Sequence, residues 1–201
     1  MSQPPTSKTG PSRRQILVAA GVLLAWFLAF VGARPLTVPD EGRYAEVARE
    51  MVVTGDWVTP RLNGVPFLDK PPLFYWMEAL AFSAFGVHPW TARLPLALMG
   101  TLGSLLVLLA GARLYGRRAG FLAAAVLAVS PFYYGASQYV NHDLTVAVWI
   151  TAALLSFAAA LPADGAWRPG WLLAGCASAG PTARSRTRSS RSWAARTSST
   201  S

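Results

Sequence analysis

Long uncharged runs alternate with a single extended polar stretch, and this alternation organises the whole chain. Gln15 to Ala33 is nineteen residues without a charge, which at about 1.5 Å per residue nearly crosses a hydrocarbon core of about 30 Å. Similar runs occupy 94–114, 119–137 and 144–161, and a fifth begins near Trp171 and breaks off. The pattern predicts four membrane-spanning helices and an aborted fifth. Between the first two runs the period changes. Tyr44, Val47, Ala48, Met51 and Val52 recur at i, i+3, i+4, i+7 and i+8, with Arg43, Glu46 and Glu50 off that stripe. This predicts a helix lying on a membrane interface, stopped by Gly55. After Lys70-Pro71-Pro72, the segment Leu73 to Phe85 is apolar apart from Glu78. It is too short to span, so a second interfacial or re-entrant helix is predicted, with Phe74, Tyr75 and Trp76 at headgroup level.

Composition agrees with a membrane protein: 53% of residues are hydrophobic, 13% are charged, eight are tryptophan and mean hydropathy is +0.34. Ser12-Arg13-Arg14 before an apolar run also fits a secretory signal, but the run is long and lacks a clear small-x-small cleavage site before Arg34-Pro35. With the first run as an uncleaved anchor, the positive-inside rule places Lys8, Arg13 and Arg14 in the cytoplasm. Alternation then adds Arg113, Arg117, Arg118 and Arg168 to the same side. Residues 34–93 fall outside. They hold seven of the nine acidic residues, against six cations.

The net charge of +9 is unevenly spread, with five arginines in the last 21 residues. That tail of Arg, Ser, Thr and Ala has no hydrophobic period and interrupts the fifth run, so a frameshifted or truncated reading frame accounts for it better than a basic arm for nucleic acid or anionic lipid. The single cysteine, Cys176, excludes an internal disulfide. The expected organisation is a cytoplasmic tail at 1–14, a transmembrane domain at 15–180 with its outer loop at 34–93, and a low-complexity tail at 181–201.

Candidate chemistry concentrates in the outer loop. Asp40 stands at a helix start, where it either caps backbone N–H groups or serves a site. Lys70 at the polar boundary either snorkels to lipid phosphate or clamps the phosphate of a lipid-linked substrate. Topology brings Asp143, after Asn141-His142, to the same membrane face as Asp40. An acid at the edge of a span is a functional candidate, the plain alternative being a helix cap. His142 reads as solvated rather than metal-binding, and His88 carries less signal still.

The ordered set Val38-Pro39-Asp40-Glu41-Gly42-Arg43-Tyr44-Ala45, Gly55-Asp56-Trp57-Val58-Thr59-Pro60 and Lys70-Pro71-Pro72-Leu73 with Tyr75-Trp76, followed by Asn141-x-Asp143, resembles the GT-C membrane glycosyltransferases that use polyprenyl-phosphate sugars. Within that class it is similar to the bacterial aminoarabinose transferases that modify lipid A and to their protein O-mannosyltransferase relatives. The resemblance covers roughly residues 12–178, the N-terminal part of such an enzyme. It implies an all-α, partial GT-C fold at the cytoplasmic membrane. It also implies transfer of a sugar from a polyprenyl-phosphate donor to lipid A, another glycolipid or a protein at the outer face.

In the roles implied, Asp40 and Asp143 are catalytic, while Lys70, Glu41, Arg43 and Tyr44 contact substrate, Glu41 by setting the local field. Asp69 stands where aminoarabinose-type enzymes carry an acidic residue able to ligate a divalent metal ion, although its side chain is shorter. The family continues through further spans to a soluble domain, so the 201 residues alone are expected to be inactive. A non-catalytic membrane scaffold or lipid-binding partner protein is the competing class. No nucleic-acid partner is implied.

Overall fold

The computed structural model describes residues 10–160, which fall into seven helices and one short hairpin. The fifth apolar run, Cys176 and the basic tail lie outside the described residues. The chain divides into two compact units, 1–151 and 152–201, and everything that positions the site lies in the first.

Helix α1 (Arg13–Leu28) opens on a capping box: the Gln15 amide donates to Ser12 Oγ at 3.3 Å and the Ser12 amide to Gln15 Oε1 at 3.0 Å. The helix stops five residues short of the uncharged run's end and continues as turns. Its sixteen residues reach about 24 Å. Helix α2 (Asp40–Thr54) ends at Gly55, whose φ of 72° gives the left-handed closure a glycine permits. Its predicted stripe is present, but Val47, Ala48 and Met51 are buried against helix α3 (Leu73–Phe85) rather than turned to lipid.

Between α2 and α3 a hairpin pairs β1 (Arg61–Leu62) with β2 (Val65–Pro66) across Asn63-Gly64. Positive φ at both turn residues, 53° and 77°, is the two-residue geometry that an Asn-Gly pair favours. Glu50 on α2 accepts from the amides of Asn63 and Gly64, which fixes the hairpin to that helix.

Helix α4 (Pro89–Tyr115) has 27 residues and is, among the described residues, the one unbroken helix long and apolar enough to cross a membrane. The run at 119–137 is divided. Helix α5 (Arg117–Val129) and helix α6 (Pro131–Ser137) meet at 67°, because Pro131 lacks an N–H and drives Ser130 to an extended ψ of 124°. Helix α7 (Asp143–Ala160) is apolar but shorter than α4. Of the four spans expected, one helix among the described residues has sufficient length and composition, or two if the bent pair is one span.

Helix α4 is the axis of the packing. A Cβ on Gly120 of α5 would lie 2.4 Å from the Leu108 carbonyl oxygen and 2.6 Å from the Ala112 nitrogen, so only glycine allows α5 to sit this close. Leu23, Phe27, Val31, Ala97 and Ala128 form a core where α1, α4 and α5 converge, joined by Tyr133 and Tyr134. The carbonyls left open where α1 frays receive side-chain donors: Gln138 Nε2 to Phe27 at 2.7 Å and Tyr134 Oη to Ala29 at 3.1 Å.

Candidate functional site

Adjacent acids at the start of α2 take opposite environments, since consecutive helical residues point about 100° apart. Glu41 is wholly buried. Its carboxylate accepts from Arg34 Nη1 at 2.6 Å and Nη2 at 3.2 Å, Arg93 Nε and Nη2 at 3.0 Å each, the Thr37 amide at 2.8 Å, the Thr37 hydroxyl, and the Val140 amide at 2.9 Å. Burial is the largest single influence on this carboxyl and would raise its pKa. The hydrogen bonds from Arg93, Thr37 and Arg34 together outweigh it and hold the group well below the ordinary carboxylate range.

Arg93, 1% exposed, also donates to the carbonyls of Val31, Arg34 and Pro35 at 3.0, 2.8 and 2.9 Å. Each of its five N–H donors has a partner. This hub ties the end of α1, the start of α2, the start of α4 and the 139–143 segment to one carboxylate. Glu41 was expected to contact substrate by setting the local field; in the structure protein donors surround its carboxylate and it is buried. Arg34 and Arg93 were not singled out from sequence, although an arginine at the head of an apolar run needs a buried partner.

Asp40 is 43% exposed. It does not cap α2, which has no side-chain cap at all. Instead it pairs with Arg43 one turn on, while Arg43 lies over the Tyr44 ring at 5.7 Å. Tyr139 faces Asp40 from the segment pinned by Glu41. Burial, followed by the negative charges of Asp40 and Glu41, raises its hydroxyl pKa.

Three residues on, His142 is 6% exposed, so the solvated reading is also corrected. Its ring is boxed by Phe74 at 4.6 Å and by Tyr44 and Tyr75 at 4.8 Å each, the two tyrosines edge-on. Neither ring nitrogen has a hydrogen-bond partner. Burial first and the Lys70 charge second lower its pKa to about 4, partly offset by Asp143 and Asp69, so the imidazole is neutral at pH 7. Lys70, Asp69 and Asp143 thus all act on the enclosed ring by charge.

Asp143 is exposed in the first turn of α7. Lys70, 40% exposed, stands 3.9 Å from Asp69. Among the described residues no three His, Cys, Asp or Glu side chains gather as a metal would require, so Asp69 supplies too few ligands by itself for a divalent ion. Glu78, the one acid in α3, is buried with neither oxygen hydrogen-bonded. Asp56 has a structural task, accepting from the Val58 and Thr59 amides at 3.1 and 3.0 Å, while Trp76 Nε1 donates to the Trp57 carbonyl at 2.7 Å. The result is a rim of half-buried Asp40 and Lys70 with exposed Asp69 and Asp143, beside a buried frame of Glu41, Arg93 and His142.

Comparison with known proteins sets this frame in a family. Residues 69–184 match the family described as dolichyl-phosphate-mannose-protein mannosyltransferase. The chain belongs to that family. Among curated relatives, the chain is 37% identical over 135 residues to an undecaprenyl phosphate-alpha-4-amino-4-deoxy-L-arabinose arabinosyl transferase of Aeromonas salmonicida, a span of 67% of this chain and 25% of that one. It is 34% identical over 173 residues to the enzyme of the same name from Pseudomonas aeruginosa, covering 83% and 31%.

The crystal structure of ArnT from Cupriavidus metallidurans bound to undecaprenyl phosphate superposes with a TM-score of 0.71 at 32% identity, over 80% of this chain and 30% of that one. Its apo form gives 0.71 at 34% identity, over 78% and 29%. The chain thus spans about a quarter to a third of the length of these relatives. Its helices are those of a GT-C glycosyltransferase, a membrane class, and the resemblance read from Asp40-Glu41 through Asp143 agrees with the family match.

Proposed function

We propose that the rim forms part of a sugar-transfer site at the outer face of the cytoplasmic membrane, in a multi-pass protein whose N-terminus is cytoplasmic. The donor is a polyprenyl-phosphate-linked sugar, an aminoarabinose by likeness to the relatives' names, and the acceptor is lipid A, with another glycolipid or a protein hydroxyl as the wider class. The observation that supports this reading is that Lys70 and Asp143 both act by charge on the enclosed His142 ring, while Asp40 acts on Tyr139 three residues before it.

In the reaction, the acceptor oxygen bonds to the anomeric carbon as the bond from that carbon to the phosphate oxygen breaks, and the lipid phosphate leaves with the electron pair. Asp40, oriented by Arg43 and Tyr139, takes the acceptor's proton. Lys70 is a compact ammonium suited to the charge growing on the departing phosphate. Asp143 supports the same site, and Arg43 and Tyr44 contact the substrate. A metal at Asp69 would need ligands from beyond the described residues, so no step is assigned to one.

Binding of radiolabelled undecaprenyl phosphate to the chain in nanodiscs tests the clamp. Lys70→Ala removes a charge-assisted contact worth about 1.5–3 kcal/mol, so affinity falls roughly tenfold or more. Equal affinity in the variant would remove Lys70 from the phosphate site.

A further inference from the structure

Helices α1 and α5 both lean on α4 and are pinned to each other by Trp26 Nε1, which donates to the Ala128 carbonyl at 3.0 Å. Nearer the N-terminal end of α1 they leave a groove of about 710 Å³, within the roughly 300–1,000 Å³ of ligand clefts. Val18, Ala19, Val22 and Leu23 line one wall, Phe121, Ala124 and Ala125 the other, and Leu108 of α4 the base. Val18 and Val22 are 58% and 64% exposed, so this apolar channel opens outward. Arg14, with Ser12 and Gln15, closes one end.

The charge at that end is one-sided. Ser12, Arg14 and Gln15 share the groove with Phe121 near the head of α5, the helix that opens on Arg117 and Arg118. Arg113 in the last turn of α4 precedes them across the Gly116 turn. Every acid among the described residues lies at 40–78 or at 143, and none pairs with these arginines. The sugar-transfer rim stands past the other end of α1, about 24 Å away along the helix. The groove is therefore separate from the site that would hold the donor's phosphate.

We propose that this groove binds an anionic phospholipid of the membrane, acyl chains between α1 and α5 and headgroup on Arg14. An apolar channel ending at the Arg14 guanidinium, which has no carboxylate partner among the described residues, matches an amphiphile with a phosphate at its polar end, because the planar fork meets phosphate oxygens bidentately. Basic pockets between helices on the cytoplasmic side suit acidic lipid headgroups for the same reason. The proposal depends on the membrane setting and not on the transferase reading.

The purified 201-residue chain is incubated with vesicles of equal phosphatidylglycerol and phosphatidylcholine, and the phospholipid it retains is counted by native mass spectrometry. Phosphatidylglycerol should exceed phosphatidylcholine by about fivefold, the factor equivalent to about 1 kcal/mol per arginine near an anionic lipid. Arg14→Gln brings that ratio toward one. Ala125→Trp and Val18→Trp fill the channel and lower total retention severalfold, whereas Leu17→Trp, at a position 72% exposed and outside the channel, leaves it unchanged. Val18→Trp enlarges an exposed position and keeps the test open should Ala125→Trp misfold. Full retention by both groove variants would overturn the site, and equal retention of the two lipids by the unmodified chain would overturn the anionic assignment.

Discussion

The two ends of α1 handle arginine in opposite ways. Beyond its C-terminus Arg93 and Arg34 converge on Glu41, with Arg93 and Glu41 fully buried and all five Arg93 donors matched. At its N-terminus Arg13 and Arg14 are exposed, with no carboxylate within ion-pair reach among the described residues. Burying a charge demands a complete set of partners, so the first arrangement rigidifies a frame. An exposed, unpaired charge adds little stability and stays free to meet a ligand. The difference separates buried scaffold from charges left accessible, and the same contrast divides Glu41 from Asp40.

The sharpest break in this comparison is removal of one partner from the hub. Glu41→Ala leaves Arg93 buried without a counter-ion and should destabilise the chain by about 3–5 kcal/mol, read as a drop in the denaturation midpoint in detergent. Exposed Asp143→Asn should move the same midpoint by no more than about 0.5 kcal/mol. A similar loss in both would erase the distinction between frame and rim.

Acid should dismantle the frame in two stages. His142 has a folded pKa of about 4, below its ordinary 6.5, so the unfolded chain binds the extra proton and stability falls as pH drops from about 6.5 to 4. Glu41 is also depressed, from 4.5, so its contribution is present above that value and is lost as pH falls below it. His142→Phe should abolish the upper part of the decline in a pH series of unfolding midpoints and leave the lower part.

A smaller effect sharpens the picture of the aromatic box. Because both His142 nitrogens are buried without partners, replacement by phenylalanine keeps the ring contacts and removes unsatisfied polar atoms. Stability at pH 7 should be unchanged or slightly raised, whereas His142→Ala empties the box and should cost about 2 kcal/mol or more. Smallest of all, Arg14→Gln should shift the unfolding midpoint by less than about 0.5 kcal/mol while changing which phospholipid is retained.

Much of the local structure was legible in the chain. The α2 stripe, its stop at Gly55 and the bounds of α3 follow from spacing and from Pro71-Pro72, which act over a few residues. The hairpin is legible too: Asn63-Gly64 between Arg61-Leu62 and Val65 carries the turn signal. The bend at Pro131 was likewise written in the sequence, but hydropathy averages over a window and passes across it.

The sequence by itself determined the helical elements, the concentration of acids in one loop and the basic character of one end of the bundle, because periodicity, proline, glycine and charge act locally. Only the tertiary structure decided which of two adjacent acids is buried, that Arg93 answers Glu41 from 52 residues away, that the Val140 amide reaches it from 99, and that His142 is enclosed. Those outcomes depend on which surfaces close packing at Gly120 and the α1–α4–α5 core bring together. Burial then sets the energy of each charge more strongly than its identity does.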